Sequence, residues 1–293
     1  MKKIRVAING FGRIGRAFYK LAKENTEIEI VVVNDLTSRE NVEYLLKYDS
    51  VYGASNHTLE GVKYLSEKDP EVLPWKDLDV DVVVESTGLF TSSEKAKAHI
   101  TAGAKRVVIT APIKDDESPT VLMGMNEEKL KTCEISSNAS CTTNAASPVL
   151  AILDEALGVE KALLNTVNAY TASQSIVDGP SKKDMREGLA AAQNIVPSST
   201  GAAIAVTKAM PQLEGLFDGI SIRVPVVAGS IADITFISKK NTTVEEVNEI
   251  LKKAAGESRW KGIFAVTEED FVSSDIKGNL HASIADLAFT RVV

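Results

Sequence analysis

The first 140 residues alternate short apolar runs with stretches in which apolar side chains recur at helical spacing. Runs rich in β-branched residues predict strands at 4–8, 28–33, 80–84 and 107–110. Between them, Ile14 to Ala22 and the Ala-rich stretch 92–100 have the periodicity of helices. Strands that alternate with helices form right-handed βαβ units, so this half predicts a parallel, doubly wound sheet of the α/β class.

The second half has a different pattern. Strands are predicted at 162–169, 220–227, 231–238, 263–266 and 284–289, and helices at 141–157, 202–210 and 244–255. Fewer, separate helices among many strands indicate an α+β domain with a mostly antiparallel sheet. Residues 171–199 show little periodicity and predict a long loop, which in a compact domain is usually functional. We therefore expect two domains, 1–140 and 141–293.

Composition narrows the class of protein. The chain has 293 residues and a net charge of −7, so nucleic acid and anionic membranes are not expected partners. No apolar run approaches the roughly 20 residues of a membrane span. The two cysteines, Cys133 and Cys141, make no disulfide framework. These features predict a cytoplasmic protein, and no metal site is expected.

A glycine pattern marks the first candidate site. Gly10, Gly12 and Gly15 follow the first strand and open a helix, and Asp35 lies twenty residues further on, at the end of the second strand. This arrangement is typical of Rossmann domains, in which the helix N-terminus faces a pyrophosphate and the carboxylate accepts from a ribose hydroxyl. A carboxylate repels a 2′-phosphate, so NAD is favoured over NADP.

The second candidate is a cysteine that follows a hydroxyl-rich stretch. The helical pattern that begins after Ser140 places Cys141 at or near a helix N-terminus, with Ser140 as a plausible cap. The dipole there favours the thiolate, which is the nucleophilic form. Cys133 lies in what reads as an apolar strand and is interpreted as an inert buried residue.

The stretch Ser137-Asn138-Ala139-Ser140-Cys141-Thr142-Thr143-Asn144 resembles the active-site signature of phosphorylating glyceraldehyde-3-phosphate dehydrogenases. Further matches to that family cover most of the chain, at 8–16, 46–51, 85–90, 178–180, 190–201 and 273–275. The resemblance implies that Cys141 attacks the substrate aldehyde of glyceraldehyde 3-phosphate and that a hydride passes to NAD. Inorganic phosphate then cleaves the resulting thioester to give 1,3-bisphosphoglycerate.

The resemblance also implies roles for other positions. The attacking phosphate or the oxyanion would be held by Ser140, Thr142, Thr200 and Gly201. The substrate phosphate would be held by Thr171 and Arg223, whose guanidinium can bind phosphate bidentately. The cofactor would be contacted by Gly10, Phe11, Gly12, Arg13, Ile14, Gly15, Asp35, Lys68, Thr87 and Thr110. Pro180 matches NAD-preferring members, and the loop 171–199 would line a neighbouring subunit's cofactor cleft in a homotetramer.

One departure concerns the catalytic base. Where the family has a histidine that pairs with the thiol and moves a proton, this chain has Asn168. An amide can donate a hydrogen bond to an oxyanion but cannot take the proton, and losing a base costs roughly 10²–10⁴ in rate. None of His57, His99 and His281 matches a catalytic position, and each is interpreted as a surface or satisfied structural residue. Hydride transfer is therefore predicted to be slow.

A second departure is at the end of the chain. Members of the family continue beyond a segment like 290–293 through a final strand and a C-terminal helix, which carries an asparagine that holds the nicotinamide. We expect a fragment, or a cofactor cleft that binds NAD less well.

Two alternative functions remain open. Erythrose-4-phosphate dehydrogenase belongs to the same class of enzyme, although the sequence around 177–180 resembles the triose enzyme more closely. A catalytically inactive NAD-binding homologue is favoured by Asn168. Retention of Cys141, Thr171 and Arg223 argues against an inactive protein.

Overall fold

The computed structural model describes residues 2–181 and 184–293, which divide into two compact units. The first unit comprises Met1–Leu122 and Asn126–Ser140, and the second comprises Met123–Met125 and Cys141–Val293. The short segment Met123–Met125 belongs to the second unit because Met125 packs into its core and the Gly124 carbonyl accepts a hydrogen bond from Arg259.

The first unit is built from a parallel sheet with helices on both faces. Its strands are Ile4–Asn9 (β1), Ile28–Asn34 (β2), Tyr48–Asp49 (β3), Gly53–Ala54 (β4), Lys63–Leu65 (β5), Val82–Glu85 (β6), Arg106–Ile109 (β7) and Ile135–Ser137 (β8). Its helices are Arg13–Glu24 (α1), Arg39–Lys47 (α2) and Ser93–Thr101 (α3), with 3-10 turns at Pro70–Val72 and Glu127–Lys131. The main sheet has the order β5-β2-β1-β6-β7-β8 with every pairing parallel, and β3 and β4 form a small hairpin.

Side chains of β1 alternate between the two faces of this sheet. Val6 and Ile8 point into a core that also contains Tyr19 of α1, whereas Ala7 packs with Trp75 and with α3. Because both faces are covered, the strands read as continuous apolar runs, which is the pattern that the sequence showed. The predicted doubly wound parallel sheet is confirmed.

The second unit contains the remaining elements. Its helices are Cys141–Leu157 (α4), Ala202–Ala209 (α5) and Val244–Ala255 (α6). Its strands are Val159–Ala169 (β9), Val196–Ser199 (β10), Phe217–Val224 (β11), Ser230–Ser238 (β12), Phe264–Thr267 (β13) and Ser283–Asp286 (β14), and its 3-10 turns are Met185–Gly188, Pro211–Leu213, Ser258–Trp260 and Leu287–Phe289.

The main sheet of the second unit has the order β10-β11-β9-β12. β10 and β12 pair antiparallel with their neighbours, while β11 and β9 are parallel, so the sheet is mixed with antiparallel pairing at both edges. β13 and β14 form a separate parallel pair. The predicted α+β character is confirmed.

Three local interpretations were wrong. The segment predicted as loop 171–199 contains β10 and a 3-10 turn, because β11 supplies a pairing partner that is remote in sequence. The strand predicted at 284–289 ends at Asp286, where the Asp286 carboxylate accepts from the Ala288 N–H and starts a 3-10 turn. Cys133 is half-buried in the connection before β8, not in a strand.

The helices of the second unit cover one face of its sheet. Ala162 and Leu164 of β9 pack in one core with Leu150 of α4, Val206 of α5 and Leu251 of α6. Side chains at alternate positions of β9 therefore face the helices, and those between them face away. Within the described residues, no helix combines the length and apolar character that crossing a membrane requires.

Replacing Gly15 by alanine should destabilise the first unit. A Cβ at Gly15 would collide with the Gly10 carbonyl, whereas one at Gly12 would meet no atom within 4 Å. We expect Gly15→Ala to lower the free energy of unfolding by about 1–3 kcal/mol, as overpacking does. The matched control Gly12→Ala should change it by less than about 1 kcal/mol. Equal losses in urea unfolding would contradict this packing argument.

Candidate functional site

The three glycines predicted to bind a dinucleotide have three different environments. Gly10 has φ +89°, donates its N–H to the Asn34 carbonyl at 2.8 Å, and would place a Cβ 2.6 Å from the Thr87 nitrogen. Gly15 packs against the Gly10 carbonyl, and the space around Gly12 is open. The loop thus turns tightly at Gly10, packs closely at Gly15, and lets a ligand approach the backbone at Gly12.

Helix α1 begins directly after this loop with uncapped N–H groups. Its N-cap is Gly12, which supplies no side-chain hydrogen bond, and its first turn has no acidic residue. Uncapped donors at a positive helix end suit a pyrophosphate. Arg13 and Ile14 are exposed in this turn, and Arg13 pairs with Asp49 at 3.4 Å. Burial alone would raise the pKa of Asp49, but hydrogen bonds from backbone N–H groups and from Arg13 outweigh it and lower that pKa.

Asp35 has two contacts that the sequence did not reveal. Its carboxylate accepts from the Phe11 N–H at 2.6 Å and from the Thr37 N–H at 2.8 Å, so it braces the glycine loop. The Phe11 ring is buried against Tyr19, which leaves only its backbone to face a ligand. The Tyr64 hydroxyl donates to the Thr37 carbonyl at 2.6 Å and lies 3.3 Å from the Asp35 carbonyl. Burial together with the charge of Asp35 raises the pKa of Tyr64 to about 12.

The other predicted cofactor residues lie near the ends of neighbouring strands. Thr87 donates both its N–H and its hydroxyl to Glu85, and its hydroxyl accepts from the Leu89 N–H. The Thr110 hydroxyl donates to the Glu85 carbonyl at 3.1 Å. Lys68 is exposed beyond β5, and the contact that the structure shows for it is from its backbone N–H to Glu67.

A buried polar network beneath these loops was missed in the sequence. It links the ends of β1, β2 and β6 with α3 and the connection before β6, through Asn9, Asn34, Glu85, His99 and Trp75. A signal existed, because Asn9, Asn34 and Glu85 each end an apolar run with a polar residue. Polar groups at the carboxyl ends of parallel strands border the ligand crevice in this class of fold.

Cys141 is the first residue of α4 and its side chain is exposed. Its sulfur lies 4.0 Å from the Thr142 hydroxyl. Ala139, just before it, has φ +57°, a left-handed conformation that costs a residue with a Cβ roughly 1–2 kcal/mol. Such strain clusters at functional sites. The chain therefore turns sharply at Ala139 before it enters α4, and the thiol lies at the positive end of this 17-residue helix.

Asn168 is buried near the end of β9, on the face that the helices cover. Its amide nitrogen donates to the Thr166 hydroxyl at 2.7 Å and to the Ser221 hydroxyl at 2.8 Å. The Thr166 hydroxyl donates to the Ile220 carbonyl at 3.4 Å, so the lone pairs of Thr166 face the amide nitrogen. This orientation leaves the amide oxygen as the group that Asn168 can present to a ligand.

The predicted phosphate-binding residues lie on elements around β9. Arg223 on β11 is the register partner of Asn168 and donates to the Ala169 carbonyl at 3.1 Å. Thr171 is exposed just beyond β9, and its hydroxyl lies 3.1 Å from that of Ser173. Thr200 accepts from the Ala202 N–H, and Gly201 is the exposed N-cap of α5. Thr142 is buried in the first turn of α4, and Ser140, half-buried, precedes it.

The histidines are accounted for by structural contacts. His99 is fully buried in the network described above, and His57 lies 2.8 Å from the Ser55 hydroxyl. His281 is exposed and contacts Asn279. Their interpretation as surface or satisfied structural residues is confirmed.

The first unit has a dinucleotide-type glycine loop at an uncapped helix, and the second has an exposed cysteine at the start of α4. These features fit the class of NAD-dependent oxidoreductases, to which the family matches also point. A family model described as "Glyceraldehyde 3-phosphate dehydrogenase, NAD binding domain" matches residues 4–93. One described as "Glyceraldehyde 3-phosphate dehydrogenase, C-terminal domain" matches residues 140–293. The chain belongs to the glyceraldehyde-3-phosphate dehydrogenase family, and its cofactor is NAD.

Curated relatives are similar over nearly the whole chain. A glyceraldehyde-3-phosphate dehydrogenase of Mycobacterium avium is 47% identical over 309 residues, which cover 99% of this chain and 90% of that protein. Glyceraldehyde-3-phosphate dehydrogenase B of Aspergillus oryzae is 46% identical, over 97% of this chain and 87% of its own length. The Borreliella burgdorferi enzyme of the same name is 46% identical, over 99% and 91%.

Alkylation should distinguish the two cysteines. Cys141 is exposed and Cys133 is half-buried, so iodoacetamide should label Cys141 first, about ten times faster or more. Peptide mass spectrometry over time measures both rates in one sample. In Cys141→Ser only the slow labelling should remain. Equal labelling of the two thiols in the folded protein would contradict the exposed position of Cys141.

Proposed function

We propose that this chain oxidises and phosphorylates glyceraldehyde 3-phosphate to 1,3-bisphosphoglycerate, using NAD and inorganic phosphate. The first unit acts as the NAD-binding domain and the second as the catalytic domain. The observation that carries the proposal is the exposed Cys141 at the N-terminal end of α4. A cytoplasmic location is part of the proposal and rests on the composition of the chain.

The chemistry assigned to Cys141 is nucleophilic. Its thiolate attacks the aldehyde carbon and forms a carbon–sulfur bond, which gives a hemithioacetal. Bound NAD supplies the hydride acceptor for oxidation of this adduct. The hydroxyl proton of the adduct passes to solvent water at the same stage, and a thioester on Cys141 results. Phosphate then displaces the thiolate from the thioester, which regenerates the enzyme.

The phosphate groups require cationic and neutral donors. Arg223 is half-buried, and its guanidinium has donors beyond the one that contacts the Ala169 carbonyl. We assign it and Thr171 to the substrate phosphate. The attacking phosphate and the oxyanion are assigned to the first turns of two helices, α4 with Ser140 and Thr142, and α5 with Thr200 and Gly201. Helix N-termini favour anions.

NAD is assigned to the loop Gly10 to Gly15 and to the strand ends beside it. The open space at Gly12 and the uncapped N–H groups of α1 fit a pyrophosphate. Asp35 keeps lone pairs beyond those that it uses for Phe11 and Thr37, so it can still accept from a ribose hydroxyl. Arg13, Ile14, Thr87, Thr110 and Lys68 complete the proposed contacts.

Asn168 limits the rate in this proposal. The amide has no basic lone pair, and its two N–H groups are engaged by Thr166 and Ser221. Its oxygen can accept a hydrogen bond from the thiol or from the adduct hydroxyl, but it cannot carry the proton away. Oxidation is therefore expected to be slow in this chain.

Restoring a histidine should raise turnover. For Asn168→His we expect the rate of NADH formation from glyceraldehyde 3-phosphate and phosphate to increase about 10²–10⁴-fold, because a general base is regained. Absorbance of NADH measures the rate. We also expect the ratio of the Cys141 alkylation rate at pH 6 to that at pH 9 to be higher in the variant than in the parent. The reason is that a protonated imidazole favours a neighbouring thiolate.

Two controls interpret this experiment. Asn168→Gln keeps an amide and should not raise the rate, and Cys141→Ser in the Asn168→His background should abolish turnover. If neither the parent nor Asn168→His shows turnover that depends on Cys141, the enzymatic proposal is wrong and the inactive NAD-binding alternative is supported. Faster turnover with erythrose 4-phosphate would support the other alternative.

We further propose that the chain forms a homotetramer through the face of the second unit's sheet that the helices leave uncovered. Four apolar residues lie on this face and are each between 56% and 63% exposed, namely Leu163 of β9, Ile220 of β11, and Ile231 and Ile237 of β12. Exposed apolar patches of this kind mark interaction surfaces. A second copy of the same chain fits the patch, as the family resemblance implies.

A charge on this patch should weaken assembly. We expect Ile231→Asp to shift the mass measured by light scattering after size exclusion from tetramer towards dimer or monomer, because an unpaired carboxylate in an apolar interface is costly. The control Val72→Asp places the same charge at a position 63% exposed on the first unit. It should leave the mass unchanged. A parent that is monomeric throughout would contradict the proposed assembly.

A further inference from the structure

Glu85 ends β6 and is almost completely buried, at 1% exposure, yet the proposed chemistry gives it no role. One carboxylate oxygen accepts from the Asn9 amide at 2.6 Å and contacts His99 Nε2 at 3.0 Å. The other oxygen accepts from the Thr87 N–H at 2.8 Å and from the Thr87 hydroxyl at 2.5 Å. Four donors thus converge on one buried carboxyl group.

The direction of the His99 contact is determined by Trp75. The indole N–H of Trp75 lies 3.0 Å from His99 Nδ1, and an indole nitrogen can only donate. Nδ1 is therefore the acceptor, and the ring proton is on Nε2, which donates to Glu85. The imidazole in this arrangement is neutral, so it brings no positive charge to the carboxylate.

The direction of the Asn9 contact is determined from the opposite end of the network. The Asn34 amide oxygen accepts from the Glu67 N–H and its nitrogen donates to the Glu67 carbonyl, both at 2.9 Å. These backbone groups cannot exchange roles, so the Asn34 nitrogen also donates to the Asn9 oxygen at 2.7 Å. The Asn9 nitrogen must then face Glu85 as a donor.

The Thr87 contacts comprise one fixed donor and one hydroxyl. The Thr87 N–H can only donate to Glu85, and the hydroxyl, which accepts from the Leu89 N–H, has its proton available for the same carboxyl oxygen at 2.5 Å. Three neighbours of the carboxyl group are thus fixed donors, and the ionised form also accepts the proton of the Thr87 hydroxyl, so it satisfies all four contacts. A buried carboxylate with no cationic partner is costly. A buried ionisable group with specific partners beside a ligand crevice is a candidate for a functional role.

The contacts of Glu85 act on the turn at 86–89, which follows β6. Gly10 packs directly on this turn, since a Cβ there would lie 2.6 Å from the Thr87 nitrogen and 2.8 Å from the Ser86 carbonyl carbon. We propose that ionised Glu85 is a positioning residue of the NAD site, which holds the turn at 86–89 against the glycine loop and ties it to the ends of β1 and β2. The inference rests on the proposed NAD site and deepens it, because Glu85 acts through Thr87 and Gly10.

The test measures NAD binding directly, by calorimetric titration of the folded chain without substrate. Glu85→Gln places an amide nitrogen among donors, and we expect the dissociation constant for NAD to rise about tenfold or more. Amide hydrogen exchange at Thr87 should accelerate in the same variant. The matched control Trp75→Phe removes a buried hydrogen bond at the far end of the network but leaves His99 free to keep its Nε2 proton. It should lower the thermal midpoint and change NAD affinity by less than about twofold.

A charge exchange provides the rescue. In Asn9→Asp with Glu85→Gln, the new carboxylate accepts from the new amide and from Asn34, and His99 Nε2, already 3.5 Å from the Asn9 side-chain nitrogen, can donate to it. Most of the lost NAD affinity should return, together with slow exchange at Thr87. If Glu85→Gln does not fold, Glu85→Asp keeps the charge but is one methylene too short to hold Thr87, and it should show the same two defects.

The outcomes separate this inference from the proposed function. If the parent binds NAD and the folded Glu85 variants bind it equally well, the inference alone is overturned. The inference is also overturned if Trp75→Phe and the Glu85 variants show the same ratio of lost NAD affinity to lost thermal stability. The network would then serve stability only. If the parent itself does not bind NAD, the proposed cofactor site fails and the inference fails with it.

Discussion

The parallel pairing of β1 with both β2 and β6 is the constraint on which the dinucleotide site depends. Parallel strands end at the same edge of a sheet, so Asn9, Asn34 and Glu85 meet there, and the loops after them form one rim. The chain crosses from one side of β1 to the other between β2 and β6, which is where such sheets open a crevice. Because these strand ends are buried, their polar groups must bond to one another. The pairing that builds the core therefore also builds the support for the cofactor loops.

β9 has a comparable place in the second unit. It lies between β11 and β12, and its helix-facing positions change along the strand from the apolar Ala162 and Leu164 to the polar Thr166 and Asn168. The apolar end anchors the sheet to α4 and its neighbours, and at the polar end the hydroxyls of Thr166 and Ser221 contact the side chain at 168. Thr166 and Ser221 satisfy an amide well, since each presents an acceptor to one of its two N–H groups. An amide at position 168 is therefore accommodated without an unpaired buried donor.

Most long elements could be predicted from periodicity, because burial on one or both faces of an element requires apolar residues at regular positions in its sequence. The helix predicted at 141–157 has the bounds of α4, and the predicted strands differ from those observed by a few residues at their ends. The short strands β5, β8 and β10 could not be predicted, since none of them contains an apolar run and each is stabilised by a partner that is remote in sequence. Helix α2, nine residues long and half exposed, was missed for a similar reason. Pro197 in β10 also argued against a strand, although the edge position of β10 tolerates it.

The sequence by itself determined which chemistry the chain carries. Glycine spacing, a cysteine at the start of an apolar helix and an asparagine at position 168 are local features, and their meaning depends on neighbours a few residues away. The tertiary structure alone decided which polar groups meet. It paired Asp35 with the Phe11 N–H, surrounded the amide of Asn168 with the hydroxyls of Thr166 and Ser221, and directed four donors to Glu85. Those partners are set by strand order and register, which join residues up to 76 positions apart, and no local preference encodes them.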